Sequence, residues 1–136
     1  MCDVWKFPSR PDEEIGVETI RKLPQLFFAN VTGGEPFIRQ DLPELIAELR
    51  QRAKRIVIST NGYFTERIVE LCQKYPDLGI RISIEGMREA NDLIRGMPGG
   101  YDRTQATLQK LQEMGLKDIG FAMTIQDHNY QDLVAL

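Results

Sequence analysis

The sequence predicts a parallel α/β fold, and three observations carry that reading. Four short apolar runs read as strands, the segments between them place apolar residues at helical spacing, and each run is followed by polar or glycine-rich residues. A strand joined to the next through one helix returns to the same end of the sheet, so the strands run parallel through right-handed crossovers.

A first helix is expected from about Asp12 to Leu23, followed by a strand from Leu26 to Thr32. Leu42, Leu45, Ile46, Leu49 and Ala53 then share one helical face, with Asp41 as N-cap and Glu44 three residues on in a capping-box arrangement. The second strand is expected from Arg55 to Thr60. Thr65 opens the next helix, which buries Ile68, Leu71, Cys72 and Tyr75 and ends at Pro76. The third strand spans Gly79 to Ile84. After a flexible Gly96-Met97-Pro98-Gly99-Gly100 loop, Asp102 and Gln105 form a second box-like start, Leu108 and Leu111 supply the core stripe, and Gly115 stops the helix. A fourth strand from Lys117 to Ile125 and a last helix beginning near Asn129 complete the pattern.

Composition narrows the function classes. The 136 residues, 42% hydrophobic, form one domain covering 1–136, with no internal repeat or linker. A net charge of -3 gives no electrostatic reason for nucleic-acid or membrane-surface binding. No stretch approaches the ~20 apolar residues of a membrane helix, and Met1-Cys2-Asp3-Val4-Trp5-Lys6 lacks the apolar run of a signal peptide, so a cytoplasmic protein is expected. Cys2 and Cys72 are too few for a disulfide framework and are read as reduced thiols or a metal ligand.

In parallel α/β sheets the chemistry sits beyond the C-terminal strand ends. Those ends carry Thr32-Gly33-Gly34-Glu35-Pro36, Ser59-Thr60-Asn61-Gly62, Ser83 with Glu85-Gly86, and Thr124 with Gln126 and Asp127. Four such loops at one rim would converge on a single ligand. Two adjacent glycines let a ligand approach bare backbone, and the carboxylate beside them suits an ammonium group. A tight turn with a solvated glutamate is the alternative reading of that tetrapeptide taken alone.

Taken together, the elements resemble the radical S-adenosylmethionine (radical SAM) family. Met1-Cys2-Asp3-Val4-Trp5 resembles the end of its C-x3-C-x2-C motif, and Gly33-Gly34-Glu35-Pro36 is identical to its GGEP motif. Val57-Ile58-Ser59-Thr60-Asn61-Gly62 resembles a strand ending of the family, and Ile82-Ser83-Ile84-Glu85-Gly86 resembles its serine-acid-glycine element. Asn91-Asp92-Leu93-Ile94-Arg95-Gly96 is similar to the His-Asp-x-x-Arg-Gly segment of members that modify peptides or build cofactors, with Asn91 in place of the histidine.

The resemblance implies a partial TIM-type (β/α) barrel lacking the first strand and the C-terminal part. It implies a 4Fe-4S cluster with Cys2 as one thiolate ligand, and SAM bound through Gly33, Gly34, Glu35 and Pro36. Ser83 and Arg95 match positions that contact the SAM carboxylate or ribose, while Thr60, Asn61, Glu85 and Thr124 are candidates for the ribose or substrate side. The implied activity is generation of a 5'-deoxyadenosyl radical that abstracts a substrate hydrogen. Implied partners are a peptide or small-molecule substrate and an electron donor such as flavodoxin or ferredoxin. Self-association through open sheet edges is also expected. Three thiolates are needed to hold such a cluster and Cys2 supplies one, so a noncatalytic, cluster-free α/β fragment is the alternative. A generic phosphate-binding α/β protein is a third reading, weakened by the lack of a Walker lysine or a G-x-G-x-x-G helix start.

Other residues receive structural roles. Cys72 lies on a buried helix face, and His128 sits in a loop with no ligand-type partner nearby in sequence. Arg50, Arg52, Lys54 and Arg55 cluster where a helix ends, and cations there complement the helix dipole. Trp5 is read either as packing near the cluster or as capping the barrel.

Overall fold

The computed structural model describes residues 6, 7 and 9–136. The expectations for Cys2 and Trp5 therefore lie outside the described residues. Four parallel strands form one sheet in the order β1 (Leu26–Val31), β2 (Ala53–Thr60), β3 (Gly79–Ser83), β4 (Ile119–Ala122). The helices are α1 (Val17–Arg21), α2 (Leu42–Leu49), α3 (Thr65–Lys74), α4 (Arg88–Arg95) and α5 (Gly100–Glu113). Among the described residues no helix is long and apolar enough to cross a membrane.

The core lies between the sheet and the helices. Ile58, Ile80 and Ile82 are wholly buried against a layer that includes Ile46 of α2, Ile68 of α3 and Leu111 of α5. Each such side chain is worth about 1.5–3 kcal/mol on burial. Strand alternation then turns Ser59, Arg81 and Ser83 to the opposite, helix-free face, where each is partly exposed. At the N-terminal end of that face Asp118 accepts from Arg55 Nη2 at 2.8 Å and from Arg81 Nη2 at 2.6 Å, and Arg50 bonds Asp77. Arg50 and Arg55, two of the basic residues where α2 ends, are thus engaged with carboxylates of the same chain. β1 and β4 are the edge strands among the described residues, and Phe27 on β1 is 80% exposed.

Several boundaries differ from the sequence expectation. The first helix is interrupted: a 3-10 turn spans Pro11–Glu13, and α1 begins only after Gly16, whose backbone is extended. Ala53 is the first residue of β2 and not a helix residue. Asp41 precedes α2 but makes no side-chain cap, because its two oxygens are taken by Arg39 at 2.9 and 2.7 Å. α5 starts two residues before Asp102, and Asp102 pairs instead with Arg88. The fourth strand is shorter than expected, and the last helix is a 3-10 turn, Tyr130–Val134. α4 was not expected at all. Its one buried side chain is the polar Asn91, so no apolar stripe marks it.

The ion pairs define a pH window. Arg39 holds Asp41, Arg50 holds Asp77, and Arg55 with Arg81 holds Asp118 below the ordinary carboxylate value of 3.8. Asp92 is likewise lowered, first by the Tyr101 N–H. A lowered folded-state value stabilises fully above the unfolded value and is lost as pH falls through the folded one. Burial pushes the Cys72 thiol from 9.0 up to about 12, so that contribution is lost above pH 9.0 as the unfolded thiol ionises. Urea midpoints are expected to fall on the acid side of about pH 4 and the alkaline side of about pH 9. Added salt should partly flatten the acid limb, since these pairs are partly solvent-accessible.

Candidate functional site

At the end of β1 the chain turns through Gly33, whose φ of +152° is a conformation side chains rarely adopt. Among the described residues, and apart from each glycine's chain neighbours, no atom lies within 4 Å of where a Cβ on Gly33 or Gly34 would stand. The two residues therefore present open backbone at the C-terminal rim. Pro36 starts a 3-10 turn through Ile38 and is buried.

Glu35 faces inward. Its carboxylate accepts from the Thr60 hydroxyl at 2.7 Å, the Asn61 N–H at 2.6 Å and the Phe37 N–H at 3.1 Å. Thr60 also accepts from the Gly62 N–H at 3.1 Å, and the Asn61 side chain accepts from the Tyr63 N–H at 2.8 Å. Thr104 and Thr107 of α5 donate to the carbonyls of Asn61 and Gly62. Glu35, Thr60 and Asn61 are thus brought together as one hydrogen-bonded group, with Glu35 and Thr60 buried, that ties the β1 loop to the end of β2. Three of roughly four carboxylate acceptor sites are used by the protein, which leaves one for a ligand.

Glu85, Arg95 and Thr124 form a second group, beyond β3. Arg95 Nη1 lies 3.0 Å from Glu85 Oε1, with side-chain exposures of 15% and 4%. The other Glu85 oxygen accepts from the Thr124 N–H at 2.9 Å, so Thr124 acts through its backbone. Ser83 stands on the helix-free face, in register with Ala122, and its hydroxyl has no partner among the described residues.

Four further residues complete this second group and were not identified from sequence. Asn91 accepts from the Glu85 N–H at 3.0 Å, and Asn129 donates to the carbonyls of Glu85 and Thr124, both at 2.9 Å. Asp92 accepts from the N–H groups of Gly99 at 2.6 Å and Tyr101 at 2.8 Å, capping the start of α5 from outside that helix. Asp132 accepts from the Met87 N–H at 2.7 Å, and its Oδ2 lies 2.6 Å from where a Cβ on Gly86 would stand. Gly86, at φ +141°, admits this contact because it has no side chain. Within the Asn91-to-Gly96 segment, Asn91 and Asp92 thus serve as a clasp, while Arg95, the residue of this segment expected to contact a ligand, pairs with Glu85. The available signal was the run of Asn and Asp beside turn residues, which favours side-chain bonds to nearby backbone.

For SAM the residues fit: open glycine backbone, a carboxylate with spare acceptor capacity, a free serine hydroxyl and a forked cation stand at or beyond the C-terminal ends of β1 and β3. For an iron-sulfur cluster the described residues do not fit. They hold no group of three His, Cys, Asp or Glu side chains able to bind a metal, and Cys72 is a buried core thiol whose ionisation burial opposes. His128 is exposed in the turn before the last 3-10 segment.

Residues 2–136 match the sequence profile of the radical SAM superfamily. The chain is 42% identical over 108 residues to the Fe-coproporphyrin III synthase of Methanosarcina barkeri, covering 77% of this chain and 26% of that protein. It is 32% identical over 118 residues to the pre-heme d1 synthase of Dinoroseobacter shibae, covering 85% and 28% respectively. The mycofactocin maturase MftC of Mycolicibacterium smegmatis is 29% identical over 111 residues, covering 80% and 28%. The chain therefore spans about a quarter of the length of these relatives. The solved structure of anSMEcpe with bound AdoMet and Kp18Cys peptide superposes with a TM-score of 0.58 at 13% identity, over 79% of this chain and 33% of that one, which shows a shared fold.

Proposed function

Because the chain belongs to the radical SAM superfamily, we propose that its four-stranded rim is the SAM-binding part of a radical enzyme. The observation that carries this reading is the open Gly33-Gly34 backbone beside the inward-turned Glu35 at a C-terminal strand end. The backbone groups of Gly33 and Gly34 and the remaining acceptor site of Glu35 would hold the amino group of SAM. Ser83 would face the ribose or the carboxylate, and Arg95 the carboxylate. Thr60, Asn61, Glu85 and Thr124 support these groups through the bonds described above. When bound, SAM supplies the 5'-deoxyadenosyl group from which a hydrogen-abstracting radical forms. The protein's part is orientation, with the Glu35–Thr60–Asn61 hydrogen-bonded group holding the glycine loop in one place. We assign no step to the cluster, since Cys2 lies outside the described residues. The substrate class is a peptide or a cofactor precursor, in line with the relatives' names, with reduction by a flavodoxin- or ferredoxin-like donor in the cytoplasm.

Gly34→Val tests the reading. Among the described residues, chain neighbours aside, no atom lies within 4 Å of the added Cβ, and the Gly34 backbone is not in the left-handed region. Stability should change by less than about 0.5 kcal/mol, as at an ordinary surface position. SAM affinity, measured by calorimetry, should fall tenfold or more, on the order of one lost or distorted hydrogen bond in the site. Unchanged SAM affinity in a folded Gly34→Val protein would overturn the assignment of the glycine loop.

A further inference from the structure

Glu85 is held at both carboxylate oxygens and at its backbone N–H and carbonyl. Ile80 and Ile82 are wholly buried in the core with the helices, so alternation sends Arg81 and Ser83 to the opposite face, and Glu85 follows just beyond the end of β3, 3% exposed. Glu85 Oε1 meets Arg95, Oε2 meets the Thr124 N–H, its own N–H meets Asn91 and its carbonyl meets Asn129. These partners come from α4, the segment after β4 and the turn before the last 3-10 helix. The carboxylate therefore has one orientation.

Arg95 is held at one point only. Among the described residues its single acceptor is Glu85, and none of its nitrogens is among the buried polar atoms left without a partner. The rest of the guanidinium fork thus opens onto accessible space. Such a fork, pinned through one nitrogen, still offers N–H groups for a ligand carboxylate, and the pin removes the rotational freedom that would weaken that contact.

We propose that Glu85 is a positioning residue for recognition of the SAM carboxylate: it orients Arg95 and so makes the site selective for ligands that carry that carboxylate. The proposal rests on the reading that Arg95 contacts SAM. It assigns Glu85 no contact with substrate or ribose.

The experiment compares SAM with decarboxylated SAM, which keeps the sulfonium and nucleoside and lacks the carboxylate. In the wild-type protein SAM should bind about ten- to a hundredfold tighter, the range for a charge-assisted hydrogen bond. Arg95→Lys keeps the charge but loses the fork, and should shrink that ratio severalfold. Glu85→Gln should shrink it to a similar extent, with Glu85→Asp in between. In ligand-free protein the Arg95 guanidinium NMR signals should be slowly exchanging in the wild type and averaged in Glu85→Gln. A residue with a purely structural role would weaken both ligands equally and leave the ratio unmoved. If neither the wild type nor Arg95→Lys distinguishes the two ligands, the reading of Arg95 as the carboxylate contact fails. If Arg95→Lys lowers the ratio while Glu85→Gln preserves it, that reading stands and the positioning role is overturned. Should Glu85→Gln not fold, Glu85→Asp decides the matter, and a wild-type ratio there overturns the proposal.

Discussion

Glu35→Ala is expected to lower folding stability by roughly 2–6 kcal/mol, because it strands two donors that water does not reach. Thr60 is 2% exposed and Phe37 is 1% exposed, and both donate to Glu35 Oε1. Each buried donor without an acceptor costs about 1–3 kcal/mol, which sets the range. The Asn61 N–H, at 2.6 Å from Oε2, is only partly buried and adds less. Glu35→Gln separates the terms. Its amide oxygen can serve Thr60 and Phe37, but its NH2 then opposes the Asn61 N–H, so a loss of about 1–3 kcal/mol is expected. The measurement is the urea midpoint at constant m-value, which isolates stability from any change in the denatured state. Losses below about 1 kcal/mol for both variants would mean that the carboxylate is solvated, and the reading of Glu35 as the tie between β1 and β2 would fail.

Arg95→Met is expected to cost about 3–5 kcal/mol, since it leaves the Glu85 carboxylate buried without its cation. Methionine keeps much of the apolar stem, so the loss reports the charge more than the packing. The Arg95→Met/Glu85→Gln double variant should recover part of it, because the uncompensated charge is gone and the glutamine oxygen still accepts from the Thr124 N–H. A coupling energy of about 1–3 kcal/mol is expected from the double-mutant cycle in urea. Additive losses would mean that the two side chains do not act on each other and that the clasp is held by Asn91 and Asn129 alone.

Much of the fold is legible along the chain because its signals are local. Ile56 and Ile58, or Ile68, Leu71 and Cys72, announce strand or helix by their spacing, and the same residues form the core. The rim loops are legible for a related reason: glycine and small polar residues just past an apolar run have few other uses in a parallel sheet. α4 was invisible because nothing apolar in it is buried, and its place is held by Asn91, Asp92 and Arg95 through polar contacts. Asp41 and Asp102 misled for the converse reason. Each stands where a cap would be expected, but an arginine claims it, and that competition depends on where the arginine side chain lies.

The sequence by itself determined the alternation of strands and helices, the parallel sense of the sheet, and the set of polar residues delivered to one rim. These follow from spacing over a few residues and from the handedness of the crossover. Only the tertiary structure decided which polar groups meet. Glu35 and Thr60 are 25 positions apart, Glu85 and Thr124 are 39, and Glu85 and Asn129 are 44. Contacts at such separations depend on the strand register that brings the ends of β1, β2, β3 and β4 side by side. No periodicity in the chain encodes whether a carboxylate at that rim turns outward to a ligand or inward to a neighbouring hydroxyl, because burial and partner geometry decide it.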